Sequence, residues 1–201
     1  MGAVTKGEIT RQTILDAAIA RFGRDGFRAT SVADIARDAG VGGTVAYAYF
    51  DNKEALFLAA LDEDAAAVIG QGLSTVVDLT DLGDWRQSLI FTLMEAVEEH
   101  PLARRVLAGL EPEVTERVLE IPALGELRKA CAELIRAGQL DGSVRADIDP
   151  TAMGNGIVSV MLSLLMSVVQ VGRGVALAYG ADVAAVFEAA LDRSPVHGRT
   201  R

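Results

Sequence analysis

Apolar residues recur along this chain three and four positions apart, the spacing of helices that turn one face inward. Leu15, Ala18, Ile19 and Phe22 predict a helix over Glu8 to Phe22, terminated by Gly23 and Gly26. A short helix follows from a cap at Ser31, with Asp34 as a weak capping-box partner and Val32, Ile35, Ala36 and Ala39 on one side. Gly40 stops it. Val41 and Gly42 make a tight turn, and a further short helix carries Thr44, Val45, Tyr47, Ala48 and Tyr49 before Phe50 and a new cap at Asp51. Phe27 closes a small three-helix core with Ile35 and Val41. Asp51 to Glu54 is a D-x-x-E box at the head of a long helix whose Leu56, Phe57, Ala60, Leu61 and Val68 share a face and whose far end lies near Gly70.

Beyond a polar connection from Gly70 to Gly83, Asp84 caps a helix with Leu89, Ile90, Leu93, Met94 and Val97 on one face, ended by His100-Pro101. A shorter helix runs through Val106, Leu107 and Leu110. The residue before a proline is biased away from helix, so Ile121 marks a break at Pro122. Leu124, Leu127, Cys131, Leu134 and Ile135 then keep helical spacing up to a stop at Gly138, and Leu140 to Asp149 reads as a loop. Asp149-Pro150 is a strong helix start. The helix it opens, to about Val171, is apolar nearly all round, which in a water-soluble chain requires burial on more than one face. Its Ser159, Ser163 and Ser167 form a stripe of small residues that lets another helix come close. A last helix, roughly Asp182 to Leu191, turns Val183, Val186, Phe187, Ala190 and Leu191 to one side and is too short to be stable alone. The pattern predicts an all-α fold.

Composition adds limits. The chain has 201 residues, half of them hydrophobic, which suffices for a packed core. Its single cysteine, Cys131, excludes an internal disulfide framework and reads as packing in a reducing compartment. The N-terminus, MGAVTKGEITRQ, has no apolar run of signal-peptide type, so a cytoplasmic protein is expected. The longest apolar stretch, Ile157 to Val169, is roughly 13 residues against the ~20 that cross a bilayer, so no membrane span is expected. The net charge of −9 argues at first against nucleic acid. Residues 1–53, however, carry seven Lys/Arg and six Asp/Glu, and the rest carries twelve and twenty-two, so the acid lies in the C-terminal part. A nearly neutral N-terminal part can still hold a duplex through a few clustered cations, with modest affinity and a shallow salt dependence.

Catalysis finds little support. His100 and His197 are too few for a histidine-based metal site, and no HExxH or paired-cysteine spacing occurs. Glu98, Glu99 and His100 point apart on a helix and read as a solvated helix end. No enzyme activity, metal or cofactor is expected. The informative stretch is Thr30 to Lys53, where two short helices about a Gly-containing turn make the helix-turn-helix pattern, whose second helix enters the DNA major groove. Lys53, beside the N-terminal amides of the long helix, is a candidate phosphate contact.

From Arg11 to Leu61 the chain reads IL.AA...F...G...TS...IA..AGV, then Y.YF, then NKEALF. In these motifs it resembles the DNA-binding domain of the TetR family of transcriptional regulators. The resemblance implies an N-terminal three-helix helix-turn-helix domain over residues 8–53 with a linking helix over 52–69. It also implies a C-terminal helical dimerisation and ligand-binding domain over 70–193, with 194–201 left as a loose tail. The implied partners are a palindromic double-stranded DNA operator, a small-molecule inducer and a second copy joined through the two C-terminal helices. Two recognition helices would then lie about 34 Å or a multiple apart.

The residues carried over as DNA-contacting are Thr30, Ser31, Gly42, Gly43, Thr44, Val45, Tyr47, Ala48, Tyr49 and Lys53, with Arg11, Arg24 and Arg28 as further candidates for the phosphate backbone. The chain departs from the family pattern at Gly42, commonly Ser, and at Thr44-Val45, where the hydroxyl sits one residue early. With Ala48 where a larger side chain is often found, the recognition helix offers few hydrogen-bonding groups and is suited to thymine methyls and groove shape. Candidate ligand-pocket residues are Trp85, Phe91, Met94, Met153, Met161 and Met166, on the pattern of mostly apolar sites with a few polar groups. The expected function is a transcriptional regulator, a repressor released from its operator by a ligand. The alternative, suggested by Gly42, Val45 and Ala48, is a helical homodimeric interaction protein without DNA binding.

Overall fold

The computed structural model describes residues 5–77, 85–112, 114 and 120–191, apart from the side chains of 75–77, 85–87, 173 and 175–181. The expectations for residues 78–83, for Asp84 as a cap, for the Trp85 side chain and for the tail lie outside the described residues. Within them the regular elements are all α-helices: α1 (Lys6–Ala29), α2 (Val32–Asp38), α3 (Gly43–Tyr47), α4 (Lys53–Val77), α5 (Trp85–Glu99), α6 (Pro101–Leu107), α7 (Pro122–Asp141), α8 (Pro150–Val171) and α9 (Arg173–Leu191). An N-terminal helix-turn-helix unit is joined to a C-terminal helical domain.

Several boundaries differ from the sequence expectation, each for a local reason. α1 starts on a Thr5–Glu8 capping box and does not stop at Gly23; the helical backbone breaks only at Gly26, with φ 82° and ψ 169°. Gly23 instead admits the start of α6, since a Cβ there would lie 2.7 Å from Pro101 Cβ. The cap of α4 is Asn52, one residue past Asp51, and its Oδ1 accepts from the Ala55 N–H at 2.8 Å. That helix continues through Gly70 to Val77. α7 runs past Gly138 to Asp141 and stops at the left-handed Gly142, φ 81°. α8 opens as the Asp149-Pro150 pair predicts, with Asp149 Oδ1 accepting from Ala152 N–H at 2.6 Å. α9 is 19 residues long, well beyond the short helix expected.

α4 is the central strut and packs on α1, α5, α6 and α7, while α8 packs chiefly on α7 and α9 on α8. The N-terminal core is aromatic: Phe57 of α4 meets the Phe22 ring at 4.9 Å and the Phe27 ring at 5.2 Å, both edge-on. The C-terminal core is aliphatic, from Leu61 and Val68 through Leu93, Leu127 and Ile157 to Leu165. Cys131 lies within it, and burial pushes its thiol up to about 12, so it acts there as an apolar filler.

The 22 residues of α8 reach the length and apolarity of a membrane-crossing helix, although the stretch Ile157 to Val169 alone falls short. The difference arises because the helix also includes its less apolar first turns. Only 33% of its most apolar window is buried within this chain. On the open side, the hydroxyls of Ser159, Ser163 and Ser167 donate to carbonyls four residues back at 2.9–3.0 Å, and Val160 and Val171 are exposed.

Candidate nucleic-acid interface

α2 is closed by a glycine-containing turn that leads straight into α3, α3 ends at an Ala48 cap after little more than one turn, and the two hold together by burying one side. Ser31 caps α2, its Oγ accepting from the Asp34 N–H at 3.1 Å and donating to the Asp34 carboxylate at 2.6 Å. Gly40, with φ 67°, reverses the chain, and Gly42 opens α3 without a side-chain cap. Ala46 and Phe50 point inward, at 0% and 6% exposed. The opposite side presents Gly42, Gly43, Thr44, Val45, Tyr47, Ala48 and Tyr49 to solvent, with Tyr47 55% exposed. A Cβ added at Gly43 would meet nothing within 4 Å. The face is therefore nearly uncharged, with the hydroxyls of Thr44 and the two tyrosines as its polar groups.

The cations nearby are mostly engaged. Arg21 bridges α1 to α2 through Asp38 at 2.6 Å, Arg24 pairs with Asp25 at 2.8 Å, and Arg37 pairs with Asp34. These contacts hold the Asp38, Asp25 and Asp34 carboxyls below their usual range, through hydrogen bonds from Arg21, Arg24 and first Ser31 then Arg37. Lys6 and Arg11, both exposed on α1, have no acidic partner among the described residues. The Arg11 guanidinium sits 5.3 Å from the Phe50 ring centroid, and the Tyr49 hydroxyl lies beside Gly7, so this end of α1 flanks the outward face of α3.

Two residues expected on the docking face are turned inward. Thr30 is 3% exposed, and its hydroxyl donates to the Gly26 carbonyl at 2.8 Å, because the chain must close the gap left where α1 breaks. Lys53 reaches back from α4 to donate to the carbonyls of Phe27 at 2.8 Å and Thr30 at 3.0 Å, with its ammonium 4.3 Å from the Phe27 ring centroid. Two of its three N–H donors are thus engaged inside the protein. Ser31, by contrast, is exposed.

The same short stretch is gripped from the other side. Glu111, 8% exposed, accepts from the Phe27 N–H at 3.1 Å and from Arg105 Nε at 2.7 Å. Gly26 is required there twice over: its backbone lies in a region only glycine enters readily, and a Cβ would fall 2.7 Å from Glu111 Oε1. Arg105 belongs to α6, so Phe27 is held by α4 through its carbonyl and by the α6 end through its amide. At its other end, α6 is capped by Asp64 of α4, which is 3% exposed. Its carboxylate accepts from the Leu102 and Ala103 amides at 3.0 and 2.8 Å and meets His100 Nδ1 at 2.7 Å. His100 is therefore part of this joint rather than a solvated helix end.

These joint residues escaped the sequence reading, with one readable signal among them. Asp64 falls three residues after Leu61 and four before Val68, on the apolar face of α4, where an acid must find partners. Nothing local marks Glu111 or Arg105.

The C-terminal domain contains a cavity of about 60 Å³ between α4, α5, α6, α7 and α8, walled by Leu61, Leu93, Val106, Leu127, Met161 and Leu165 among others. Of the five candidate pocket residues with described side chains, only Met161 lines it. Phe91 is exposed, Met94 is buried away from it, and Met153 and Met166 are half-buried against the core.

Comparison with known proteins agrees with this arrangement. Residues 14–60 match the model of the bacterial regulatory proteins of the tetR family. The chain is 32% identical over 152 residues to the HTH-type transcriptional repressor KstR2 of Rhodococcus jostii, covering 72% of this chain and 73% of that one. It is 30% identical over 147 residues to the HTH-type transcriptional repressor NicS of Pseudomonas putida, covering 69% and 68%. Among solved structures it shares its fold with Thermus thermophilus FadR, a TetR-family repressor in complex with lauroyl-CoA, at a TM-score of 0.66 and 22% identity over 92% of this chain and 97% of that one. With a helix-turn-helix set on a helical body, and relatives of this similarity over most of their length, the chain belongs to the TetR family of DNA-binding transcriptional regulators.

Proposed function

We propose that the protein is a homodimeric repressor that binds a palindromic operator through the outward side of α3 and leaves it when a small apolar molecule enters the cavity. One observation carries the DNA-binding assignment: α3 buries Ala46 and, just beyond it, Phe50, while Thr44, Val45, Tyr47, Ala48 and Tyr49 all face outward. Repression is the sign carried by the names of KstR2 and NicS. We place the DNA contacts on Ser31, Gly42 to Val45 and Tyr47 to Tyr49, with Arg11 and Lys6 reaching phosphates. Lys53 and Thr30 act by setting the angle of α2 and α3. The division near residue 53 and the cytoplasmic location are part of the same reading.

Dimerisation is supported by the open apolar sides of the last two helices, where Val160, Val171 and Val186 are 38%, 63% and 66% exposed. Because the serine hydroxyls between them are bonded within the helix, that side behaves as a small-residue apolar stripe that a second copy can cover. Coupling runs along α6, whose Val106 and Leu107 line the cavity while the adjacent Arg105 holds Glu111 on Phe27.

Selection from a random duplex pool tests the assignment. Enrichment of a palindrome, weakened by Tyr47→Ala with the dimer intact, is the expected result. A dimer that enriches nothing even at low salt would favour the interaction protein instead.

A further inference from the structure

We propose that the cavity takes the saturated, unbranched hydrocarbon end of its ligand and leaves the ligand's polar end outside. The inference rests on the reading of this body as the sensing part and names the chemistry it senses. Among the described residues every side chain on the wall is aliphatic except the Met161 thioether, and none of them brings a ring or a side-chain nitrogen or oxygen to it. A polar atom carried inside would give up its hydrogen bonds to water without replacement.

The surrounding polar groups have their own partners. Asp64, the neighbour of the wall residue Ala65, is directed onto the α6 amides and His100, and Gln170 bonds the carbonyl of the wall residue Leu107 at 2.8 Å. Among the described residues no buried side-chain nitrogen or oxygen lacks a hydrogen bond, so nothing in the interior awaits a polar ligand group. Shape narrows the class further. The resting volume of about 60 Å³ is less than half of the ~150 Å³ that admits a benzene ring, so a ring system does not enter without parting the helices. A thin chain inserts end-on, its last few methylenes filling the resting space, and each further methylene presses on Val106 and Leu107, next to the Arg105–Glu111 grip on Phe27.

The test uses the full chain without DNA and calorimetry with hexanoate, octanoate, decanoate and dodecanoate, each below its aggregation concentration. Affinity should rise about fourfold per added methylene until the chain outgrows the cavity, and then level off. Decanoate carrying a hydroxyl on its terminal carbon should bind about tenfold more weakly or worse than decanoate itself. Ala65→Leu and Leu162→Phe, which narrow the cavity from two different helices, should flatten the length dependence. Affinity independent of chain length would overturn the proposal, as would equal binding of the hydroxylated chain. So would unchanged increments in both folded variants, which would locate the chains on the outer surface. Operator release is read separately: chains that bind as described but leave the operator complex intact uphold the ligand class and remove the regulatory reading.

Discussion

The joint between the two parts of the molecule and the cavity inside its body are built from opposite materials. At the joint, charged side chains grip backbone groups of residues 26–30: Lys53 on two carbonyls, Glu111 on an amide. Among the described residues the cavity wall has no such group, and apart from the Met161 thioether only aliphatic surface faces aliphatic surface. Hydrogen bonds are directional, so the joint fixes an angle; van der Waals packing is not, so the cavity fixes a volume and yields when it is filled. A sensor of this kind needs both, a deformable chamber and a stiff linkage that reports its deformation.

The comparison is broken most severely at Gly26. Substituting alanine places a Cβ against Arg105 and Glu111 and forces a conformation that side chains avoid, at about 3 kcal/mol. The expected result is a lower thermal midpoint and loss of operator binding; a Gly26→Ala protein that melts and binds as the parent does would show the grip to be unimportant. Lys53→Met comes next. Losing two charge-assisted bonds to buried carbonyls should cost about 2 kcal/mol of stability and weaken operator binding while leaving its salt dependence unchanged. A reduced salt slope for this variant would instead make Lys53 a phosphate contact.

Arg11→Ala should do the reverse: unchanged melting, a few-fold weaker operator binding, and a salt slope reduced by about one, read from binding isotherms over a range of salt. The smallest effect is on pH. Because the Arg21 hydrogen bond lowers the folded-state pKa of Asp38, the contribution of this pair is present above the ordinary carboxylate range, about pH 4, and fades as pH falls through the lowered value. Acid below about pH 4 should loosen α2 from α1, seen as amide exchange in α2 faster than in the other helices at the same pH, and Asp38→Asn should remove that acid dependence.

What could be read from the chain follows the same division. The caps at Ser31 and Asp149, the break before Pro122 and the inward side of α2 all depend on residues within a few positions of one another, and local spacing reveals them. The outward side of α3 was legible because Ala46 and Phe50 supply its inward side four residues apart. Lys53 was read as an outward cation because its partners lie 23 and 26 residues away, and Glu111 lies 84 residues from Phe27. Aromatic and methionine residues mark the pocket poorly: apart from Met161 its described wall is made of leucines, valines, isoleucines and alanines, which no pattern separates from the rest of the core.

The bare backbone at Gly43 has a consequence for how such a regulator can change its target. If α3 reads the operator as proposed, a position on it where an added Cβ meets nothing within 4 Å is an unwritten letter. Arginine or asparagine introduced there can acquire a base to recognise without displacing any atom already in place, so a new operator preference lies one substitution away, and repeating the duplex selection with Gly43→Arg would reveal it.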